Sequence, residues 1–194
     1  MTIKFKRSII ATALVLPLAA GAIALASTTS GTAAPQPEQK RYAPVWHNQP
    51  TSVGQAVDLA AVVVRATVVD VRQAPDVVVP AKAEPGGVDR VATQAVTLRT
   101  KEVFKGSMPA TFTVSRTGGP NIVVEGDPAY RTGQQYVLAL QSQRPDGRWV
   151  LVSPEGRYQV RAGKVYAISD VPGVAKVNGR SYDQFRATVE NAVS

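Results

Sequence analysis

The chain has 194 residues, with 22 Lys and Arg against 14 Asp and Glu, a formal charge of +8, one histidine and no cysteine. The lack of cysteine excludes a disulfide framework, a thiolate zinc site, an iron–sulfur cluster and a lipid-modified cysteine anchor together, so packing alone must hold the fold. A chain of this size buries roughly 70% of the surface that it exposes when unfolded, enough for one domain.

Lys4, Lys6 and Arg7 precede an apolar run from Ile9 to Ala26, the pattern of a secretory signal peptide, so residues 1–34 are set apart from the fold. Two cleavage points stay open, after Ala26 and after Ala34, and an uncleaved leader is the one membrane contact expected. The leader holds basic residues and no acid, so the working part is less basic than the total charge implies. This places the protein outside the cytoplasm, secreted or held at the cell envelope. Residues 35–50 are rich in Pro, Gln and charge, lack periodicity and read as a flexible tether that carries Trp46 and His47.

A single domain is expected over residues 51–194. Ser52 and Gln55 have capping-box spacing, and Val53, Val57 and Ala60 share a helical face, which predicts a short helix plugging one end of a barrel. From Leu59 to Arg72 the apolar residues alternate and then shift by one place at Val68-Val69, the mark of a bulged strand. Pro75, Pro80, Pro85 and Gly86-Gly87 punctuate residues 73–90 too densely for a central strand, leaving at most an edge contact at Val77–Val79. A strand from Val91 to Phe104 follows, with Val96, Leu98 and Phe104 facing inward, Glu102 interrupting that row, and a turn at Lys105-Gly106. Phe112 and Val114 alternate with polar residues in the next strand, which ends at Gly118-Gly119-Pro120. Beyond Gly133 the chain meanders through Tyr136–Leu140, Trp149–Val152, Tyr158–Val160 and Val165–Ile168, with turn residues between them. About seven strands at this spacing predict an all-β fold, a small bulged barrel of the OB-like kind or a compact sandwich. Ser181 with Gln184 repeats the capping-box spacing, and Tyr182, Phe185, Val189 and Ala192 predict a C-terminal helix anchored by Phe185.

Ala61–Val68, Val103-Phe104-Lys105-Gly106, Glu125-Gly126-Asp127-Pro128-Ala129-Tyr130 with Gly133 and Tyr136-Val137-Leu138, and Asp146-Gly147-Arg148-Trp149 together resemble a loose group of exported bacterial β-barrel proteins of unassigned function. The resemblance spans roughly residues 52–168 and implies an oligonucleotide/oligosaccharide-binding type of barrel; it supplies no catalytic residue.

The catalytic inventory is poor. The one histidine lies in the tether, no G-x-S-x-G or Ser-Lys spacing occurs, and no glycine-rich phosphate loop is present, so no cofactor is expected. Glu125 and Asp127 could flank a sugar bond or hold calcium, although carboxylates around Gly and Pro mostly mark a turn, and no metal site is expected. Arg157 and Arg161 share one face of a strand, as do Arg99 and Lys101, and neighbouring strands would join them into a solvent-facing cationic patch. Outside the cell the anions on offer are lipid headgroups, wall polymers and acidic proteins rather than nucleic acid. The expected function is therefore an exported, non-enzymatic binding module for anionic envelope material. The alternatives are a protein-partner module such as a protease inhibitor, using Gly118-Gly119-Pro120 or residues 73–90, and a carboxylate-based hydrolase. The sequence carries no signal for an oligomeric state.

Overall fold

The β-branched run that starts at Val62 becomes the strand on which the others are built. The structure, a computed structural model, describes residues 40–43, 46, 48–80, 87–119 and 122–194; the leader, most of the tether with His47, and Pro85-Gly86 and Pro120 lie outside them. In chain order the elements are β1 (Lys40–Tyr42), α1 (Val53–Leu59), β2 (Val62–Pro80), β3 (Val88–Lys105), β4 (Thr111–Thr117), β5 (Ile122–Val124) and β6 (Gln135–Gln143). They continue with β7 (Trp149–Leu151), a 3-10 turn (Pro154–Gly156), β8 (Arg157–Arg161), β9 (Lys164–Ala167), α2 (Pro172–Ala175), β10 (Arg180–Ser181) and α3 (Tyr182–Val193).

β2, β3 and β4 pair antiparallel in sequence, β4 then pairs parallel with β7, β7 antiparallel with β6, and β6 antiparallel with β2. The result is a ring of five strands in the order β2-β3-β4-β7-β6, a barrel-like sheet. β6 divides its second edge: Leu140–Gln143 goes to β7, while Gln135–Leu138 goes to β8, which carries β9 and β10 outward. Beyond Ser115, therefore, β4 has no pairing with β7, and the ring opens at that end.

Strands covered on both faces read as apolar runs, and this explains β2 and β6. Val62, Val64, Ala66 and Val68 point into the ring with Val96, Leu98, Phe112 and Val114. Val63, Val137 and Ala139 point outward, where α1 and α3 cover them. The expected bulge is present, since Val68 faces Leu98 and Asp70 faces Thr97, leaving Val69 unpaired between them. Phe185 is fully buried beneath α3, with its ring centroid 4.9 Å from that of Tyr158. The expected capping box is complete at Ser181 and Gln184.

The structure corrects three expectations. First, α1 does not plug the barrel. Val53, Ala56 and Val57 belong to the outer core with Phe185 and Val189, because the helix turns back along the sheet face that β2 and β6 leave apolar. Ser52 caps it as expected, accepting from the Gln55 N–H at 3.2 Å, but the Gln55 side chain accepts from the Thr51 N–H at 2.7 Å, one residue earlier than the box predicts. Second, the region from Gln73 to Pro80 is not a loop: it stays paired with Val88–Gln94 as a two-stranded ribbon that extends the β2–β3 hairpin. Its prolines are tolerated because Pro75 falls in a register shift between Ala74 and Val77, where no N–H is needed, and Pro80 ends the strand. Third, Phe104 lies against the outer core, and Glu102 does not leave the covered region but accepts from the Tyr182 hydroxyl at 2.5 Å and pairs with Arg186 at 3.0 Å. These contacts fasten α3 to β3.

At the turn after β3, Lys105 donates through Nζ to the Val57 carbonyl at 2.8 Å, satisfying the end of α1. Gly106 follows with φ +73°, and a Cβ there would stand 2.5 Å from the Ala61 carbonyl oxygen. No helix among the described residues is long and apolar enough to cross a membrane.

Candidate functional site

At the open end of the ring, β4 and β8 each send an arginine inward, and the segment after β5 supplies the acid between them. Arg116 continues the inward row of Phe112 and Val114, and Arg157 is fully buried at the start of β8. Arg157 Nη1 donates to Asp127 Oδ1 at 2.6 Å, and Arg116 Nε lies 3.2 Å from Asp127 Oδ2. Arg116 also donates to the Asp127 carbonyl and, at 2.9 Å, to Gln94 Oε1. The Arg157 guanidinium sits 4.0 Å above the Tyr130 ring and 5.0 Å from that of Tyr136, and the two rings meet edge to face at 5.1 Å. This cluster closes the gap left where β4 and β7 part.

Gly118 has a role here. Its φ of +121° suits glycine, and a Cβ would lie 2.9 Å from Arg116 Nη1, so any other residue would push the guanidinium aside.

Two opposed effects act on these groups. Burial pushes the Asp127 carboxyl above its ordinary pKa, while Arg157 and Arg116 pull it back. Burial also works against the charge on Arg157, but Tyr130, Asp127 and Tyr136 outweigh it and raise the guanidinium's pKa. For Tyr130, burial dominates over the nearby Arg157 and lifts the phenol from 10.0 to about 12. The unfolded chain releases that proton first, so the associated stability is whole below pH 10 and is lost as pH climbs through about 12. A shift of this size corresponds to about 2–3 kcal/mol. Burial raises Tyr136, Tyr158 and Tyr182 in the same sense. Urea midpoints measured against pH should fall across this alkaline window, and less steeply for Tyr130→Phe; an identical slope in that variant would refute the assignment.

Beside the cluster lies a cavity of about 210 Å³, walled by Trp46, Val150 and Leu151 and edged by Arg116, Tyr130 and Arg144. Among the described residues, the buried Tyr130 hydroxyl and Arg144 Nε have no hydrogen-bond partner. Arg144 Nε is 3.8 Å from Asp146 Oδ2, whose stronger partner is Arg148 at 2.6 Å. Asp127 lines the space as well, so the wall is apolar and the edge carries two arginines to one carboxylate.

The expected cationic patch does not form. Arg157 is buried, and the reason is alternation: Tyr158 and Val160 face the outer core, so Arg157 points the other way, onto Asp127, where the open ring receives it. Arg161 on that side is exposed and stacks over Tyr166 at 4.7 Å. Arg99 and Lys101 are exposed on β3, but Arg99 alternates with the ring-facing Leu98 and so points outward. The expected dyad separates as well. Glu125 is exposed while Asp127 is buried with both carboxylate oxygens held by arginines, which leaves it no free oxygen for a sugar bond or calcium. Gly118 and Gly119 are buried rather than presented at a loop tip, because the Gly118 N–H donates to the Ala92 carbonyl at 2.8 Å and Gly119 bridges to Ile122. Part of the stretch read as a tether lies on the domain: β1 pairs in parallel with β5, and Trp46 is half-buried in the cavity wall.

Sequence reasoning placed Arg144 among the basic residues beside turns and Tyr130 among the tyrosines that could line a groove, but it did not single out Arg116 or Gln94. The available signal was parity, since Arg116 stands two places beyond Val114 on an inward row. Compared with protein-family models and with curated proteins, the chain matches none.

Proposed function

We propose that the chain is an exported, non-enzymatic binding module that takes a small organic anion at the open end of its barrel. The observation that carries this reading is the excess of arginine there: Arg116 and Arg157 share the single carboxylate of Asp127, and Arg144 adds a further cation at the rim. The apolar wall of Trp46, Val150 and Leu151 selects a ligand with a ring or a short hydrocarbon body beside its charge. An apolar cavity of ~150 Å³ holds benzene, so a cavity of about 210 Å³ fits one ring with a carboxylate or phosphate attached. Residues that edge the cavity come from the β2–β3 ribbon, β4 and the β6–β7 turn, the regions with which OB barrels bind their ligands; this support is by analogy of fold alone. The leader pattern of residues 1–34 supports an envelope location, where acidic sugars and phosphate-bearing wall polymers supply such groups.

Titration of the protein with short uronic-acid oligosaccharides and their neutral counterparts tests the proposal. The acidic series should bind and the neutral series should not. Arg144→Gln should weaken binding about tenfold, the loss of one charge-assisted hydrogen bond. Equal binding of acidic and neutral sugars, or an unchanged affinity in the variant, refutes the reading.

A further inference from the structure

The short seam between β4 and β7 leaves a second opening, at the start of β4. The Thr100 N–H donates to the Ala110 carbonyl at 2.9 Å and the Gly118 N–H to the Ala92 carbonyl at 2.8 Å, at the two ends of an unbroken β3–β4 register. Bonded and non-bonded positions alternate along an antiparallel pair, so Phe112 and Val114 exchange their bonds with β3, whereas Thr111 and Thr113 turn their N–H and C=O groups away from it. β7 takes up that edge only from Val114 with Trp149 onward, a register that engages no group before the Thr113 carbonyl. The Thr113 N–H and both main-chain groups of Thr111 therefore have no backbone partner among the described residues. They are open to solvent: Thr111 is exposed, Thr113 is half-buried, and both line a cleft of about 420 Å³ with Phe112, Trp149, Asp146 and Arg148. The charges in the cleft answer each other, since Arg148 donates twice to Asp146 Oδ2, at 2.9 and 2.6 Å.

We infer that this edge binds an extended peptide segment of a partner protein, which adds to β4 as a short antiparallel strand. An unpaired strand edge is a template for another chain, and main-chain bonds supply the affinity. The geometry of the free groups selects a peptide over other amides. One trans amide points its N–H and C=O in opposite directions, but those of Thr111 point the same way. They are met together by one extended residue, whose two groups come from consecutive amides; a single acetamido group on a sugar meets only one. The residue two places earlier in the peptide accepts from the Thr113 N–H. The residue between them stands opposite Phe112 and turns its side chain to the same face, towards Phe112 and Trp149, so it is apolar. Asp146 and Arg148 satisfy one another, so the segment brings no charge to this place. The cleft shares no residue with the proposed anion cavity and is independent of it.

Amide NMR of the full chain, titrated with a blocked pentapeptide that has valine at its centre and a threonine and then a serine on each side, tests the inference. The Thr111 and Thr113 amide signals should shift with added peptide. Methylation of the backbone nitrogen of the threonine after the valine, which faces Thr111, should weaken binding about tenfold, the loss of one hydrogen bond. Thr113→Pro should weaken the unmethylated peptide by a similar factor, because it removes an outward N–H and none from the ladder with β3. Circular dichroism establishes whether that variant is folded; if it is not, the methylated peptide decides on the unaltered chain. Absence of a shift at these two amides overturns the inference, as does equal binding of the methylated peptide or unchanged binding by a folded Thr113→Pro. A shift of the same amides with an acetamido disaccharide, or on raising the protein concentration without peptide, also overturns it, by assigning the edge to a sugar or to a second copy of the chain.

Discussion

Replacing Asp127 by alanine should cost about 3–5 kcal/mol of stability, because it leaves two guanidinium groups buried without their counter-ion. The side chains concerned are nearly inaccessible, at 4% for Arg116, 0% for Arg157 and 6% for Asp127, so solvent cannot take over as it does for a surface pair. The cost differs from the net worth of the cluster. Replacing Arg116, Asp127 and Arg157 together by apolar residues of similar volume should lose much less than the single change, since no charge then stays unpaired. Asp127→Asn should fall between, keeping the shape and losing the charge. Urea unfolding followed by circular dichroism gives all three values. A loss below about 1 kcal/mol for Asp127→Ala would mean that water reaches the arginines and that the cluster does not seal the barrel.

The second large effect is expected at Phe185. It is fully buried between α3 and the outer face of the sheet, against Tyr158 and among Val63, Val137 and Val165. Truncation to alanine removes the buried ring and leaves a cavity, at a cost of about 3–5 kcal/mol. The other ties of α3 are the smaller buried Val189, Arg65 over the Tyr182 ring at 4.2 Å, and the contacts of Tyr182 and Arg186 with Glu102, of which the Arg186 pair is half exposed and therefore weak. Phe185→Ala should thus release the helix before the ring opens. Hydrogen exchange should show faster exchange in Tyr182–Val193 than in β2 and β6; uniform acceleration over the whole domain would show instead that α3 and the ring unfold as one unit.

The fold was legible where one periodicity governed a segment. Tyr136–Leu140 is apolar at every place and is covered on both faces, and Ser181 with Gln184 marks the start of a helix whose apolar positions fall at regular intervals. The ribbon was not legible, because proline density argues against a strand and cannot show that one bulge absorbs the misfit at Pro75. The site was hidden for a related reason. Alternation correctly separated Arg157 from Tyr158, but the side opposite an apolar row is solvent only if nothing covers it. What covers Arg157 is Asp127, from a turn 30 residues earlier, and no local pattern encodes that meeting. Glu125 and Asp127 look equivalent in the sequence, and only the opening of the ring beyond Ser115 sends one inward.

The division of β6 between two neighbours also bears on how the molecule assembles. β2, β3 and β4 can form as consecutive hairpins, and β6 with β7 as another, each from residues close in the chain. Neither piece encloses anything by itself. Enclosure requires two distant seams, β2 with β6 and β4 with β7, and loop-closure entropy opposes both until they meet. The β4–β7 seam is only Val114 with Trp149 and Ser115 with Val150, too short to persist unless the other seam already holds β6 in place. Joining the two sheets is therefore expected as one concerted event late in folding, and a change at Trp149 or Val150 should slow the closing of the whole barrel, which refolding rates of such variants would show.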